Sequence, residues 1–409
     1  MARILYYGDT PTATTGLAKV TRNMVHGLLG AGHAVDVLGI GYWGFPYDRE
    51  QLPYLIYPAY VPDPRDQDYR GRKTLLNFLQ TQDDYDVCIV NIDHFWMALP
   101  NPATNRTWAE DIVAAARKTK TRIVHYTPVD GRVMPSWLTL PRLADVPMPY
   151  TDFGVQEFAR FDKNLSGKCL TAGHGIDFGL YRPDLPKSEV EGIRKQLLPK
   201  GKTRLGLAVA ANNTRKDWPR TLQVLREVLR REPGFCLVCW TDFKGRTDIS
   251  ENIPALLAGL DLTSDFDAVF PDRDNQPEEM MPLVYAAADL HLSTTTGEGW
   301  GFSAFEAMAV GTPNVIPRVA AWEMIPEDCC LPIRAGDTPD LNRVFPMVSP
   351  IPRPICSVVD AAEKVLSLLD SPCLGRNLSQ AGQEWVRQFT WEKARADLLK
   401  GVDRALALR

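Results

Sequence analysis

The chain reads as an α/β protein made of two Rossmann-like, doubly wound halves. Three observations predict this. Short apolar segments alternate with amphipathic ones, the alternation starts twice, and a stretch rich in Pro, Lys and Glu separates the two rounds. Strands buried on both faces read as continuous apolar runs, and helices between them supply the crossovers of a parallel sheet.

In the first round, strands are expected over residues 3–7, 34–40, 85–91 and 122–127. Helices are expected over residues 16–30 and 108–118. Leu17, Val20, Met24, Val25 and Leu28 recur at helical spacing and mark the buried face of the first helix. Residues 178–203 (FGLYRPDLPKSEVEGIRKQLLPKGKT) interrupt the pattern. The second round then places strands over 205–210, 235–240, 268–270, 290–293 and 315–316, with helices over 220–231 and 280–287. A last helix, 391–408, has no strand after it. Residues 41–73 are a long excursion punctuated by prolines and crowded with aromatics, too long for an ordinary connection.

Composition narrows the function. With 409 residues, 45% hydrophobic and 23% charged, the sequence is that of an ordinary globular protein with room for two full cores. The net charge of −4 gives no general pull toward nucleic acid or acidic membrane. No apolar run is long enough to span a bilayer, so no integral membrane association is expected. MARILYYGD leads straight into a strand and lacks the character of a secretion signal, which points to the cytoplasm. Cys236 and Cys239 form a C-x-x-C inside the apolar run FCLVCW without a second pair or a nearby His, so core thiols are expected and not a metal site.

The densest chemistry lies in STTTGEGWGFSAFEAMAVGTPNVIP, Ser293 to Pro317. A strand ends, Gly297, Gly299 and Gly301 let backbone approach a ligand, and a helix is expected to begin at Ser303. Free N–H groups at a helix start cradle an anion. Upstream, AANNTRKD also follows a strand and sets Arg215 and Lys216 at its carboxyl end. A cradle and two cations suit a diphosphate. Glu298 and Glu306 would oppose phosphate but accept hydrogen bonds from hydroxyls. Together these residues describe a nucleotide-sugar site. A second reading of Glu306 stands beside this one, because Ser303-Ala-Phe-Glu306 has the spacing of a capping box.

GEGWGFSAFEAMAVGTPNV resembles the E-x7-E signature of the family-4 retaining glycosyltransferases, whose GT-B fold sets two Rossmann-like domains across a cleft. TTGLAKVTRNMVHGLLGAGHAVDVL resembles their first loop and helix, HGIDFGLYRP their G-V-D-x-x-x-F-x-P element, RKDW their K-G motif and YAAADLHLST their lead into the glutamate loop. The resemblance implies a first domain over 1–180, a linker over 181–203 and a nucleotide-sugar domain over 204–387. The helix within 388–409 would cross back onto the first domain. It implies that Glu298 binds the donor sugar, Glu306 the ribose, and Lys216 the diphosphate. Arg215 stands in for an arginine that the family carries where this chain has Ala211. Gly16 would approach the donor from the first domain, and Asn213, Gly299, Trp300, Gly301, Phe302 and Ser303 would line its pocket. The implied reaction moves a hexose from a UDP-glucose-like donor to an acceptor hydroxyl by front-face displacement, with no metal and no cofactor beyond the donor.

Where many family members carry a histidine near the reacting sugar, this chain reads HYTPVDG, and Asp130 is the polar candidate. Asp130-Gly131 also suits a turn. Asp93 and His94 are acceptor candidates after the third strand, His94 with a packing role as its alternative, and His125 is expected in the core. Within the excursion Trp43 and Tyr47 are acceptor candidates, with Arg65, Arg70, Arg72 and Lys73 behind them. The acceptor is expected to be a glycan, a small molecule or a hydroxymethylated base in DNA, since aromatics stack on sugars and on exposed bases alike. The alternative is that these aromatics pack the excursion onto the sheet. A sugar-nucleotide epimerase and a noncatalytic nucleic-acid-binding module are the competing classes.

Overall fold

A computed structural model describes all residues except 61–67, 69, 83, 246, 248, 273–276, 346–348 and 409, so Arg65 of the excursion lies outside it. The chain divides into two compact units, Met1–Gly175 with Phe389–Arg409, and Ile176–Gln388.

The first unit holds a six-stranded parallel sheet of β1 (Arg3–Asp9), β2 (Ala34–Ile40), β3 (Leu55–Pro58), β4 (Val87–Asn91), β5 (Arg122–Thr127) and β6 (Val146–Pro149). Its order is β3-β2-β1-β4-β5-β6. The second unit repeats it with β7 (Arg204–Val209), β8 (Phe235–Trp240), β9 (Ala268–Val269), β10 (Leu290–Leu292), β11 (Asn314–Pro317) and β12 (Leu331–Ile333), in the order β9-β8-β7-β10-β11-β12. Both sheets therefore follow the doubly wound order 3-2-1-4-5-6, which reverses direction between the first and fourth strands.

Sequence and structure agree on every strand flanking those reversals. They part at the edges. β3, β6 and β12 were not expected, and each contains proline: Pro58, Pro147 and Pro149, and Pro332. Proline cannot donate to a ladder, so it reads as a strand breaker, yet an edge strand needs partners on one side only. A hairpin of β13 (Asn342–Phe345) and β14 (Ser349–Pro354) was not expected either, its second strand carrying Pro350, Pro352 and Pro354. The excursion thus includes a strand of the sheet, and the helix Arg72–Thr81 closes it.

Each sheet has its own core. Leu5, Tyr7, Cys88, Val90 and Ile112 belong to the first, and Leu207, Leu222, Val228, Leu237 and Val365 are buried in the second. On Gly16–Gly30 Val20, Met24, Val25 and Leu28 of the predicted stripe are fully buried, while Leu17 in the first turn is only half-buried. Cys236 and Cys239 are buried free thiols on β8. Residues 176–203 fall in the second unit. There the helix Lys187–Leu197 is tied down by Arg194, which donates to Ala287 O at 2.6 Å and to Asp289 at 2.9 Å. The final helix Trp391–Ala407 belongs to the first unit. Arg395 donates to Asn23 O and Oδ1 at 3.0 and 2.8 Å, and His174 stacks on Trp391. Gly175 is required there, because a Cβ would sit 2.1 Å from the Trp391 nitrogen.

Candidate functional site

β7 and β10 are hydrogen-bonded neighbours, Leu290 opposite Gly206 and His291 opposite Leu207. Their carboxyl ends lie side by side where the strand order reverses, the place at which an open α/β sheet receives ligands. The loop after β7 carries Asn213, Arg215 and Lys216, and the loop after β10 carries Thr294 to Gly301.

The structure joins these two loops. Lys216 Nζ lies 2.5 Å from Glu298 Oε1 and Arg215 Nη1 lies 3.1 Å from Glu298 Oε2. Arg215 also donates to the carbonyl of Gly297. Glu298 is 5% exposed. Burial pushes its carboxyl upward, but Lys216, Arg215 and hydrogen bonds from Lys216 and Thr295 outweigh that and hold it below the ordinary range. Two cations and one anion thus form a charged cluster around a buried carboxylate.

Three buried threonines fasten this cluster. Thr296 donates to Arg215 O from its backbone N at 2.9 Å and from its Oγ1 at 3.0 Å. Thr294 Oγ1 donates to Asp217 O at 3.0 Å and shares a 2.7 Å bond with Thr221 Oγ1. Thr295 Oγ1 donates to Gly297 O at 3.1 Å. Asp217 stands where the resembling motif has glycine, and its φ of 51° lies in the left-handed region that favours glycine. Its carboxyl is buried, which raises it to about 6 against the opposing pull of Arg220. Sequence reasoning passed over these threonines. The run of three consecutive hydroxyls after an apolar strand was the available signal.

The second glutamate corrects an expectation. The helix after the glycine loop is Phe302–Val310, it starts one residue before Ser303, and its N-cap is Gly301 without a side-chain cap. Ser303 and Glu306 therefore form no capping box. Glu306 accepts from Tyr285 Oη at 3.0 Å instead. Gly301 has φ 83° and yields its Cβ space to Trp322, whose indole would lie 2.3 Å from that atom. The glycine thus admits a side chain of the protein, where sequence reasoning expected close approach of a ligand. Trp300 is buried and stacks on Phe305 at 4.9 Å, so its ring belongs to the packing beneath the loop. Gly299, Phe302 and Ser303 are half-buried, and the buried Asn213 Oδ1 has no hydrogen-bond partner among the described residues.

The remaining candidates sit in the first unit. Gly16 is exposed at the first residue of its helix, whose N-cap Thr15 accepts from Ala18 N. Asp130 is half-buried after β5. Asp93 is the half-buried N-cap residue of His94–Ala98. His94 itself is buried among Phe95, Trp137 and Phe158, with ring centroids 5.5 to 5.9 Å away, which makes it a packing residue. His125 is fully buried, as expected. Tyr47 Oη donates to Tyr54 O at 2.7 Å and accepts from Arg49, so it pins its loop, whereas Trp43 is 55% exposed.

Among the described residues, no three His, Cys, Asp or Glu side chains come together as metal ligands, and no helix is long and apolar enough to cross a membrane.

No family model matches the chain. A D-inositol 3-phosphate glycosyltransferase of Segniliparus rotundus is 26% identical over 232 residues, which is 57% of this chain and 46% of that protein. The matched region thus spans about half the length of that relative. Among solved structures, a sucrose-phosphate synthase from Thermosynechococcus elongatus aligns over 100% of both chains with a TM-score of 0.73 and 18% identity. The HepE protein of Anabaena, solved in complex with UDP and glucose, aligns over 98% of this chain and 100% of its own, with a TM-score of 0.70 and 13% identity. These likenesses establish the GT-B fold, two Rossmann-like domains in one chain.

Proposed function

We propose that this chain is a retaining glycosyltransferase that moves a hexose from a UDP-glucose-like donor to an acceptor hydroxyl. The observation that carries the reading is the Arg215–Glu298–Lys216 cluster at the strand reversal of the second unit. An arriving diphosphate competes with Glu298 for both cations. The displaced carboxylate is then free to accept from the hydroxyls of the sugar attached to that diphosphate. One exchange of partners therefore recruits the anion and orients the carbohydrate. The amino end of the helix Phe302–Val310, which directly follows the glutamate loop, adds the partial positive charge of its dipole. The glycosyltransferase match and the UDP and glucose held by HepE support the same donor class.

In the reaction, the bond from the anomeric carbon to the diphosphate oxygen breaks and a bond to the acceptor oxygen forms on the same face. The departing phosphate oxygen takes the acceptor's proton, and Arg215 and Lys216 stabilise the charge that develops on it. Asp130 serves the sugar or the acceptor as a hydrogen-bond acceptor. The exposed Trp43 and Phe45 favour an acceptor with a flat face, either a sugar ring or an extruded hydroxymethylated base.

The test is a panel of UDP-, GDP- and ADP-sugars scored for nucleotide release. It is run alone, then with inositol phosphates and simple glycosides, then with plain and hydroxymethylated duplex DNA. Acceptor-dependent release with sugar transferred is the expected result. Isomerised donor without transfer would identify an epimerase, and no release from any donor would end the proposal.

A further inference from the structure

The acid assigned to ribose is gripped by two tyrosines that no step above uses. Glu306 is 6% exposed, and Tyr285 Oη donates to its Oε2 at 3.0 Å. Tyr181 stands beside the same carboxylate, whose charge acts on its hydroxyl, and its ring lies 6.3 Å from that of Tyr285 at 61°. Both rings are buried. Burial, and then the charge of Glu306, push both phenols upward, so they stay protonated and act as donors.

The backbone fixes each phenol. Tyr285 lies in the helix Met280–Ala287, and its carbonyl accepts from Thr312 Oγ1 at 2.7 Å. Tyr181 is held by a turn built on Asp177. The Asp177 Oδ1 accepts from Gly179 N at 2.9 Å and Leu180 N at 3.2 Å, and its carbonyl accepts from Tyr181 N at 2.7 Å. Local hydrogen bonding of this kind sets a side chain's direction before any long-range contact forms.

We propose that Tyr181 and Tyr285 are positioning residues that lock the Glu306 carboxylate toward the ribose diol, and thereby set a preference for ribonucleoside over deoxyribonucleoside diphosphates. This rests on the nucleotide-sugar reading above. A carboxylate offers about four lone-pair sites. Tyr285 takes one from the protein side with Tyr181 packed beside it, and a ribose diol supplies two donors for the others. A deoxyribose supplies one and strands a lone pair of a buried acid, which is how a polar site rejects an analogue lacking a hydroxyl. A carboxylate free to rotate would find another partner and discriminate less. The two phenols remove that freedom.

The experiment measures binding by calorimetry for UDP, GDP and ADP, and then for the 2′-deoxy and 3′-deoxy counterparts of the tightest. Wild type is expected to prefer the ribose form at least tenfold. In Tyr181→Phe/Tyr285→Phe the preference should fall to threefold or less, with affinity for the deoxy forms within twofold of wild type. Should the double variant fail to fold, Tyr181→Phe and Tyr285→Phe are read singly, each expected to lose more than half of the preference. A folded variant with undiminished preference, or a wild type without preference, overturns this inference alone. A wild type that binds no nucleoside diphosphate removes the reading beneath it.

Discussion

At the strand reversal of the first unit, Tyr6 of β1 and Asn91 of β4 meet Tyr150, which directly follows β6. Asn91 Nδ2 donates to Tyr6 Oη at 2.7 Å, and Tyr150 Oη donates to Asn91 Oδ1 at 2.5 Å. At the corresponding reversal of the second unit, β7 and β10 lead into Arg215, Lys216 and Glu298. The topology is the same and the polar chemistry is opposite. Neutral groups that satisfy one another leave little for a visitor and serve mainly to fix the strands. Opposite charges held together under a partial cover can exchange partners with an anion of the right size. The difference teaches that sheet order sets where a site can form, and the loop residues after two strands decide whether one does.

The widest test of this contrast is acid. Burial holds His125 and His174 of the first unit down to about 3, with His94 adding to the shift at His125. Burial likewise holds His291 of the second unit to about 4, against the hydrogen bond with Asn314. All three are neutral when folded, while the unfolded chain takes up protons near pH 6.5. Stability is therefore complete above about pH 7 and is lost as pH falls below 6.5 toward 3. At pH 5 the cost is about 2 kcal/mol for each, or about 6 kcal/mol in all. Because two of the three sit in the first unit, that unit should open first. Hydrogen exchange resolved by peptide, with urea midpoints at pH 7 and pH 5, checks both statements. An unchanged midpoint would show that the histidines carry no such linkage.

Next in size is the loss of a charged partner. Glu298→Ala and Lys216→Ala should each lower turnover at least tenfold, about 1.4 kcal/mol or more of transition-state stabilisation, while the protein stays folded. Asn91→Ala in the first unit should do the reverse. It should cost about 1 to 3 kcal/mol of stability, because Tyr6 and Tyr150 lose their common partner, and leave turnover per folded molecule intact. Steady-state rates beside melting curves decide this. Near-normal turnover in both charged variants would contradict the site assignment.

How far these residues could be read beforehand follows from the kind of interaction each makes. The strands flanking both reversals were legible because a buried parallel strand is a short apolar run. The strands at β3, β6 and β12 were hidden by prolines, which an edge position tolerates. Glu298 and the Arg215-Lys216 pair stood out because glycines and charges at strand ends are unusual. Their mutual contact did not, since it joins residues more than eighty positions apart. Glu306 fitted a local rule, the capping box, that a nonlocal fact overrode. The indole of Trp322 fills the space at Gly301, the helix starts earlier, and Tyr285 takes the carboxylate. Spacing within a few residues reports turns and caps. It is silent about a tyrosine arriving from another helix.

The smallest effect expected is at the threonines, and it separates the units most finely. In the first unit Thr127 Oγ1 donates to Ile92 O at 2.9 Å and ties the end of β5 to the end of β4. In the second, Thr296 Oγ1 donates to Arg215 O at 3.0 Å and ties the glutamate loop to the cation loop. Both are single hydroxyls replaceable by the isosteric valine, and each removal leaves a buried carbonyl with one donor fewer, worth about 1 kcal/mol. In Thr127→Val that loss should appear as stability and leave catalysis unchanged. In Thr296→Val the backbone N–H still holds Arg215 O, so the melting temperature should hardly move. The looser cation loop should instead weaken donor binding and raise its KM about fivefold, with kcat affected less. Thr296→Ser restores the hydroxyl and should restore KM. If valine and serine behave alike at position 296, the hydroxyl does not position the cations, and the backbone bond with the ion pairs to Glu298 holds the two loops together without it.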